Sequence, residues 1–292
     1  MNTKTKAWVN MGLFLLTLLI NTLGAFGFIN GSSQKEVSDT YQTLITPSPA
    51  TFSIWGVIYT LLLISLIFMI VKHKEERTAS LINTISVPFW VSCVTNILWI
   101  IAFSYKLIGI STLLILAFVV TLAILNGKLK TPDGLGHKVN ALAFGLYNGW
   151  LIIATVVNAS AYLVKLQWNG FGLAADVWAV IILIVSLLLT GLIQWRLRNV
   201  ALTLPLAWAY FGIWQQHQAQ GLFAGQYTAI GLMANVLLAH CISSLQASSL
   251  SKTATACFLS RKRKADLTTS LEMSAVQRLR QAGFARKANP AF

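Results

Sequence analysis

The chain has 292 residues, of which 56% are hydrophobic and only 10% charged, and its mean hydropathy is +0.68. A soluble domain is about 25% charged, so this composition excludes a soluble enzyme or aqueous binding module and indicates an integral membrane protein. The formal net charge of +14 does not point to nucleic acid, because the basic residues sit in short loops and the C-terminal tail, where they set membrane topology.

Backbone groups in lipid need internal partners, which leaves helices or closed barrels. The apolar runs are long and lack two-residue alternation. The fold class expected is therefore all-α, a polytopic bundle of about eight transmembrane helices. The first run, 7–29, is too long for the apolar region of a signal peptide and reads as a retained span. A polar loop, 30–50, ends in TPSPA. Further spans are expected at about 51–71, 86–105, 108–126, 140–163 and 176–195. Lys106 sits in a very tight turn, making the third and fourth spans antiparallel neighbours. The uncharged stretch 199–251 is long enough for two more spans, about 200–214 and 226–246, broken at QQHQAQG.

Charge distribution supports this count. With the N-terminus in the cytoplasm, the outer loops hold only Lys35, Lys106 and Lys165, and all other basic residues of the 22 fall inside. Both termini are then cytoplasmic in a multi-pass, inner-membrane-type protein. The tail is Ser/Thr-rich, then basic from RKRK at 261–264. It reads as a solvated segment, with a basic amphipathic helix on the anionic leaflet as the alternative. The three cysteines, Cys93, Cys241 and Cys257, have no metal or redox spacing.

The eight acidic residues all lie in loops, in the tail or at span edges. A charge in mid-membrane costs roughly 2.5–3.5 kcal/mol on insertion scales and is kept for function. Its lack argues against a proton pump or strongly ion-coupled transporter and removes most general acids and bases. No phosphate-cradling, HExxH or nucleophile-elbow motif occurs. The reading is non-enzymatic, with no metal and no cofactor.

Aromatic and amide chemistry remains. The stretch GLYNGWLIIATVVN, 145–158, places Tyr147, Trp150, Ala154 and Asn158 within roughly 60° of one line on a helix. Hydrocarbon cannot satisfy an amide, so this face belongs inside the bundle. The second span offers Phe52, Trp55 and Tyr59 on one face; the third offers Ser92, Asn96, Trp99 and Phe103. Any one of these faces is explained by helix packing; three in neighbouring spans suggest a pocket. Trp8, Trp168 and Trp178, near span edges, read as interfacial anchors.

At these residues the chain resembles the TspO/MBR family, the tryptophan-rich sensory proteins and translocator proteins. The second-helix pattern W-x-x-x-Y is matched by Trp55 and Tyr59 after Pro47 and Pro49. The third-helix pattern N-x-x-W-x-x-x-F is matched by Asn96, Trp99 and Phe103. The fifth-helix pattern is matched by Tyr147, Trp150, Ala154 and Asn158. The resemblance covers 7–163, and a longer form of the family is similar through about 247. It implies a five-helix core, 1–165, three additional helices, 166–247, and leaves a basic cytoplasmic tail, 248–292. It also implies a receptor or carrier for a hydrophobic, planar ligand, tetrapyrrole- or sterol-like. The ligand-binding residues would be Trp55, Tyr59, Asn96, Trp99, Phe103, Tyr147, Trp150 and Asn158. The other partners would be the lipid bilayer and a second copy in a homodimer. Two departures leave the ligand open: no tryptophan stands near Pro49, and Ile100 and Ile101 replace prolines that commonly follow the third-helix tryptophan. An uncoupled transporter or exporter, a tetrapyrrole-modifying enzyme and a scaffold without a small ligand are the competing readings.

Overall fold

A computed structural model describes residues 1–129, 134–197, 199–218, 220–223 and 225–243. The basic tail, with its candidate amphipathic helix, lies outside the described residues. Within 1–242, which form one compact unit, the structure is helical with no strand among the described residues, as the apolar runs require.

The helices are α1 (Thr3–Ala25), α2 (Gln34–Thr40), α3 (Ile54–Val71), α4 (Glu76–Ser104), α5 (Ile108–Lys128), α6 (Leu135–Lys165), α7 (Ala175–Leu197), α8 (Thr203–Gln216) and α9 (Thr228–Ser243). A 3-10 turn, Pro49–Ser53, leads into α3, and two more, Gly170–Gly172 and Val200–Leu202, flank α7. Six helices, α1 and α3 to α7, are long and apolar enough to cross a membrane. The last two expected crossings are shorter. α8 has 14 residues, about 21 Å at 1.5 Å per residue, against a hydrocarbon core of about 30 Å. Pro205 does not interrupt it, because it stands in the first turn, where its missing N–H has no intrahelical acceptor.

Two expected spans are longer than their apolar runs. α4 begins ten residues before the expected 86, at Glu76, and passes through Pro88; α6 begins at Leu135 rather than 140. Polar first turns extend each helix beyond the hydrocarbon, where hydropathy gives no signal. The expected polar loop 30–50 is likewise partly helical. Ser33 and Glu36 form a reciprocal capping box, each side chain bonded to the other's backbone N–H, and this starts α2. The tight turn at Lys106 is present. Lys106 is left-handed (φ 55°), and the Leu107 N–H reaches the Ala102 carbonyl at 2.9 Å, closing α4 in a Schellman-type turn.

The packing follows membrane logic: apolar side chains coat the outside and polar ones join helices inside. Leu15, Leu19, Val57, Ile64, Leu113, Leu188 and Val236 are exposed, whereas Asn10, Asn21, Asn96, Asn126, Asn140, Asn148 and Asn158 are buried. α1 packs on α3 and α4, α4 on α5, and α5 on α6. α6 is the central post, also touching α3, α7, α8 and the Val200–Leu202 turn.

Small residues permit that crowding. A Cβ on Gly145 would meet Asn199 and Ala201, and one on Gly149 would collide with the Leu202 carbonyl. These two glycines, one turn apart in GLYNG, form a G-x-x-x-G seat for the chain entering α8. Asn199 locks it there, donating to the Ala141 carbonyl at 2.8 Å and to Asn126 Oδ1 at 3.3 Å.

Candidate functional site

The three polar-aromatic faces do converge. Trp55 is the hub. It stacks on Tyr59 (5.2 Å between ring centroids) and lies 6.4 Å from Trp99, 6.1 Å from Tyr147 and 6.2 Å from Trp150. Phe52 meets Trp150 edge-on at 6.2 Å, and Phe103 continues from Trp99 at 6.0 Å. Edge-to-face and offset contacts of this kind favour complementary ring quadrupoles.

The cluster borders a cavity of about 70 Å³. Of the predicted residues, Trp55, Trp99, Phe103, Trp150 and Asn158 line it. Tyr59, Asn96 and Tyr147 do not; they stand behind the wall and hold it. Asn96 accepts from Asn21 Nδ2 at 2.9 Å and donates to the Tyr147 hydroxyl at 2.8 Å, tying α1, α4 and α6 together. The aromatic ring of Tyr147 is held in turn by Phe118 of α5, 5.3 Å away.

Two wall residues carry directed polarity. Asn158 Oδ1 lies 3.1 Å from Ser111 Oγ and 2.7 Å from Thr112 Oγ1. Both hydroxyls thus occupy one end of its amide, leaving the other end for the cavity. The indole N–H of Trp99 is buried with no hydrogen-bond partner. An unpaired buried donor costs about 1–3 kcal/mol, and Trp99 is one of the residues lining the cavity.

Sequence reasoning missed the cap of the cavity. Gln34 and Ser38 of α2, with Pro47 and Phe52, close one side, and Ile153, Ala154, Val157 and Ala161 complete the α6 wall. The signal for α2 was present in Ser33-x-x-Glu36, and α6 spacing could have supplied Val157 and Ala161. The cap is braced from α8, which no local pattern reveals. Ser48 N–H donates to the Gly212 carbonyl (3.1 Å), Ser48 Oγ to Gln215 Oε1 (3.0 Å) and Trp208 Nε1 to the Thr51 carbonyl (2.8 Å). His217, just after α8, bonds the Leu44 carbonyl through Nε2 at 2.8 Å. Burial lowers the pKa of this imidazole, and the bond to Leu44 only partly offsets that.

Among the described residues no cluster of His, Cys, Asp or Glu could hold a metal ion. The ion pairs Lys35–Asp39 and Lys72–Glu75 are exposed, and none of their residues lines the cavity. The site's chemistry is thus stacking, shape and neutral hydrogen bonding.

Neither a curated protein nor a solved structure matches the chain. A family model does, described as TSPO-like protein, and it aligns with residues 7–242. That span takes in the aromatic cluster, the cavity, and α7 to α9 as well as the five spans before them. The chain therefore belongs to the TSPO-like protein family.

Proposed function

We propose that this membrane protein is a receptor or carrier that binds a hydrophobic, planar ligand, porphyrin- or sterol-like, between α3, α4 and α6. The observation that carries the reading is the convergence of three indoles, Trp55, Trp99 and Trp150, on one cavity, the Trp99 N–H being buried without a partner. A flat ligand would stack on the indoles, place an acceptor against Trp99 and meet the free end of the Asn158 amide. The lining offers indoles, amides and a hydroxyl but no carboxylate, lysine or histidine, which favours binding over catalysis.

The cavity is smaller than the ~300 Å³ lower bound for drug-sized sites. A ligand of that size must separate rings that now touch one another.

The test is a protoporphyrin IX titration followed by tryptophan quenching in folded protein. Wild-type protein should quench saturably, and replacing Trp150 and Asn158 together by leucine should weaken binding at least tenfold. Unchanged affinity would place any ligand elsewhere. The proposed topology, with both termini cytoplasmic, rests on the lysine and arginine distribution. Labelling of a cysteine introduced at Ser32 by an impermeant reagent from outside intact cells would support it; labelling only after lysis would reverse it.

A further inference from the structure

A second cavity is larger than the one at the aromatic cluster. A space of about 500 Å³ opens beside an adjoining face of the last turns of α6. Ala154, Val157, Asn158 and Ala161 of α6 face the smaller cavity; Ser160, Leu163, Val164 and Gln167 face the larger one. The segment before α3 is shared in the same way, with Pro47 on one side and Gln42 to Ile45 on the other.

We propose that this second cavity is a separate binding site for an uncharged, ring-bearing amphiphile. Its size falls within the range of small-molecule sites, and its lining is mainly apolar with a few amides, as such sites require. Trp168 and Trp178, which span-edge position alone assigns to anchoring, pack against each other at 4.9 Å and form one wall. Trp178 donates its N–H to the Gly170 carbonyl at 2.7 Å, so its polar edge is already satisfied within the protein.

The loop that carries this wall holds an unusual backbone. Between 167 and 172, Gln167, Gly170, Phe171 and Gly172 all have positive φ, and two of these are not glycine. Residues other than glycine seldom take this conformation, and where they do the surroundings enforce it, often at ligand sites. Gly170 suits its place, with φ at +64° and a Cβ position only 3.0 Å from Trp178 Nε1.

The ligand's neutrality follows from the lining, which contains no Asp, Glu, Lys, Arg or His. The two nearest charges along the chain are turned to other partners. Lys165 Nζ donates to the Lys106 carbonyl at 2.7 Å and lies over the Tyr41 ring, and Asp176 Oδ1 accepts from Val177 N–H at 3.0 Å. Gln42, Gln167 and Asn169 at the rim supply neutral donors and acceptors for the ligand's polar end. Opposite, Leu44 and Phe223 are fixed by His217, which bonds the first and stacks on the second at 4.7 Å.

The experiment uses 6-bromo-2-naphthol, a neutral aromatic alcohol whose bromine quenches tryptophan on contact, with the full chain in phosphatidylcholine nanodiscs. Saturable quenching is expected. Ala175→Phe and Leu173→Trp each add bulk at this cavity without deleting a contact, and each should weaken binding at least tenfold. Ala154→Phe, which fills the other cavity, should leave it unchanged. 6-Bromo-2-naphthoate, carrying a charge, should bind at least tenfold more weakly than the naphthol. Quenching that rises linearly with probe in the lipid, or insensitivity to both filling variants, would overturn the site. A shift of affinity with Ala154→Phe instead would transfer the binding to the aromatic cluster and overturn this assignment too. Equal binding of the naphthoate would overturn the neutral class.

Discussion

Gly149→Ala isolates the contact on which the α6 scaffold depends. The added methyl collides with the Leu202 carbonyl oxygen and lies 2.9 and 3.0 Å from that residue's C and Cα. These are backbone atoms, and Asn199 pins them by accepting from Ala201 N–H (3.1 Å) while donating to Ala141. No side-chain rotation relieves the clash, so the turn and α6 must part. Overpacking by one methylene costs about 1–3 kcal/mol, and a gap opened along the seat adds lost dispersion contacts. Against this, alanine is favoured over glycine inside a helix by about 1 kcal/mol. The net expectation is a loss of about 1–2 kcal/mol. Gly12→Ala on α1 provides the contrast, since its Cβ meets nothing within 4 Å, and only the propensity gain should remain. Reversible unfolding in mixed micelles with increasing dodecyl sulfate measures both. Equal gains for the two variants would refute the claim that the GLYNG seat, rather than generic helix packing, holds α8 onto the bundle.

Other expectations follow from individual contacts. Asn96→Leu removes two interhelical hydrogen bonds at about 0.6 kcal/mol each; the same unfolding assay should show a loss of about 1 kcal/mol, and no loss would mean the network is not a tie. Asn148 is fully buried with neither end of its amide paired, so Asn148→Leu should raise stability by about 1–3 kcal/mol; a fall would reveal a bound water or ligand at that amide. His217 titrates below its ordinary value of about 6.5. The unfolded chain therefore binds the proton more readily, and the stability contributed by neutral His217 is full above about pH 6.5 and is lost as pH falls through the folded pKa. Thermal stability of wild-type protein should drop more between pH 6.5 and 5 than that of His217→Gln; parallel curves would dismiss the imidazole as the cause.

The sequence made the spans legible wherever lipid dictates composition, because hydrocarbon forbids anything but long apolar helices. It made the inward faces legible for a related reason: Tyr147, Trp150 and Asn158 cannot face lipid comfortably, so their spacing marks the interior. What it did not reveal is which of those residues touch the cavity and which support the ones that do. Asn96 and Tyr147 share their faces with Trp99 and Trp150, yet they satisfy each other and leave the cavity to their neighbours. That division depends on depth, and a helical wheel has no depth. The brace from α8 was hidden for another reason. Ser48 and Gln215 are 167 residues apart, and nothing local to either announces the other. The packing of Trp168 on Trp178 was not legible, because an aromatic at a span edge looks the same whether or not it also packs on a second indole.

The most direct test of the central claim is to fill the aromatic cavity from the α6 side. Ala154 borders both the cavity and the Trp55–Trp99 cluster without contributing a hydrogen-bonding side chain. Protoporphyrin IX binding to Ala154→Phe, compared with wild type at matched thermal stability, should weaken at least tenfold if the ligand sits among Trp55, Trp99 and Trp150. Unaltered affinity and unaltered quenching in that variant would contradict the account.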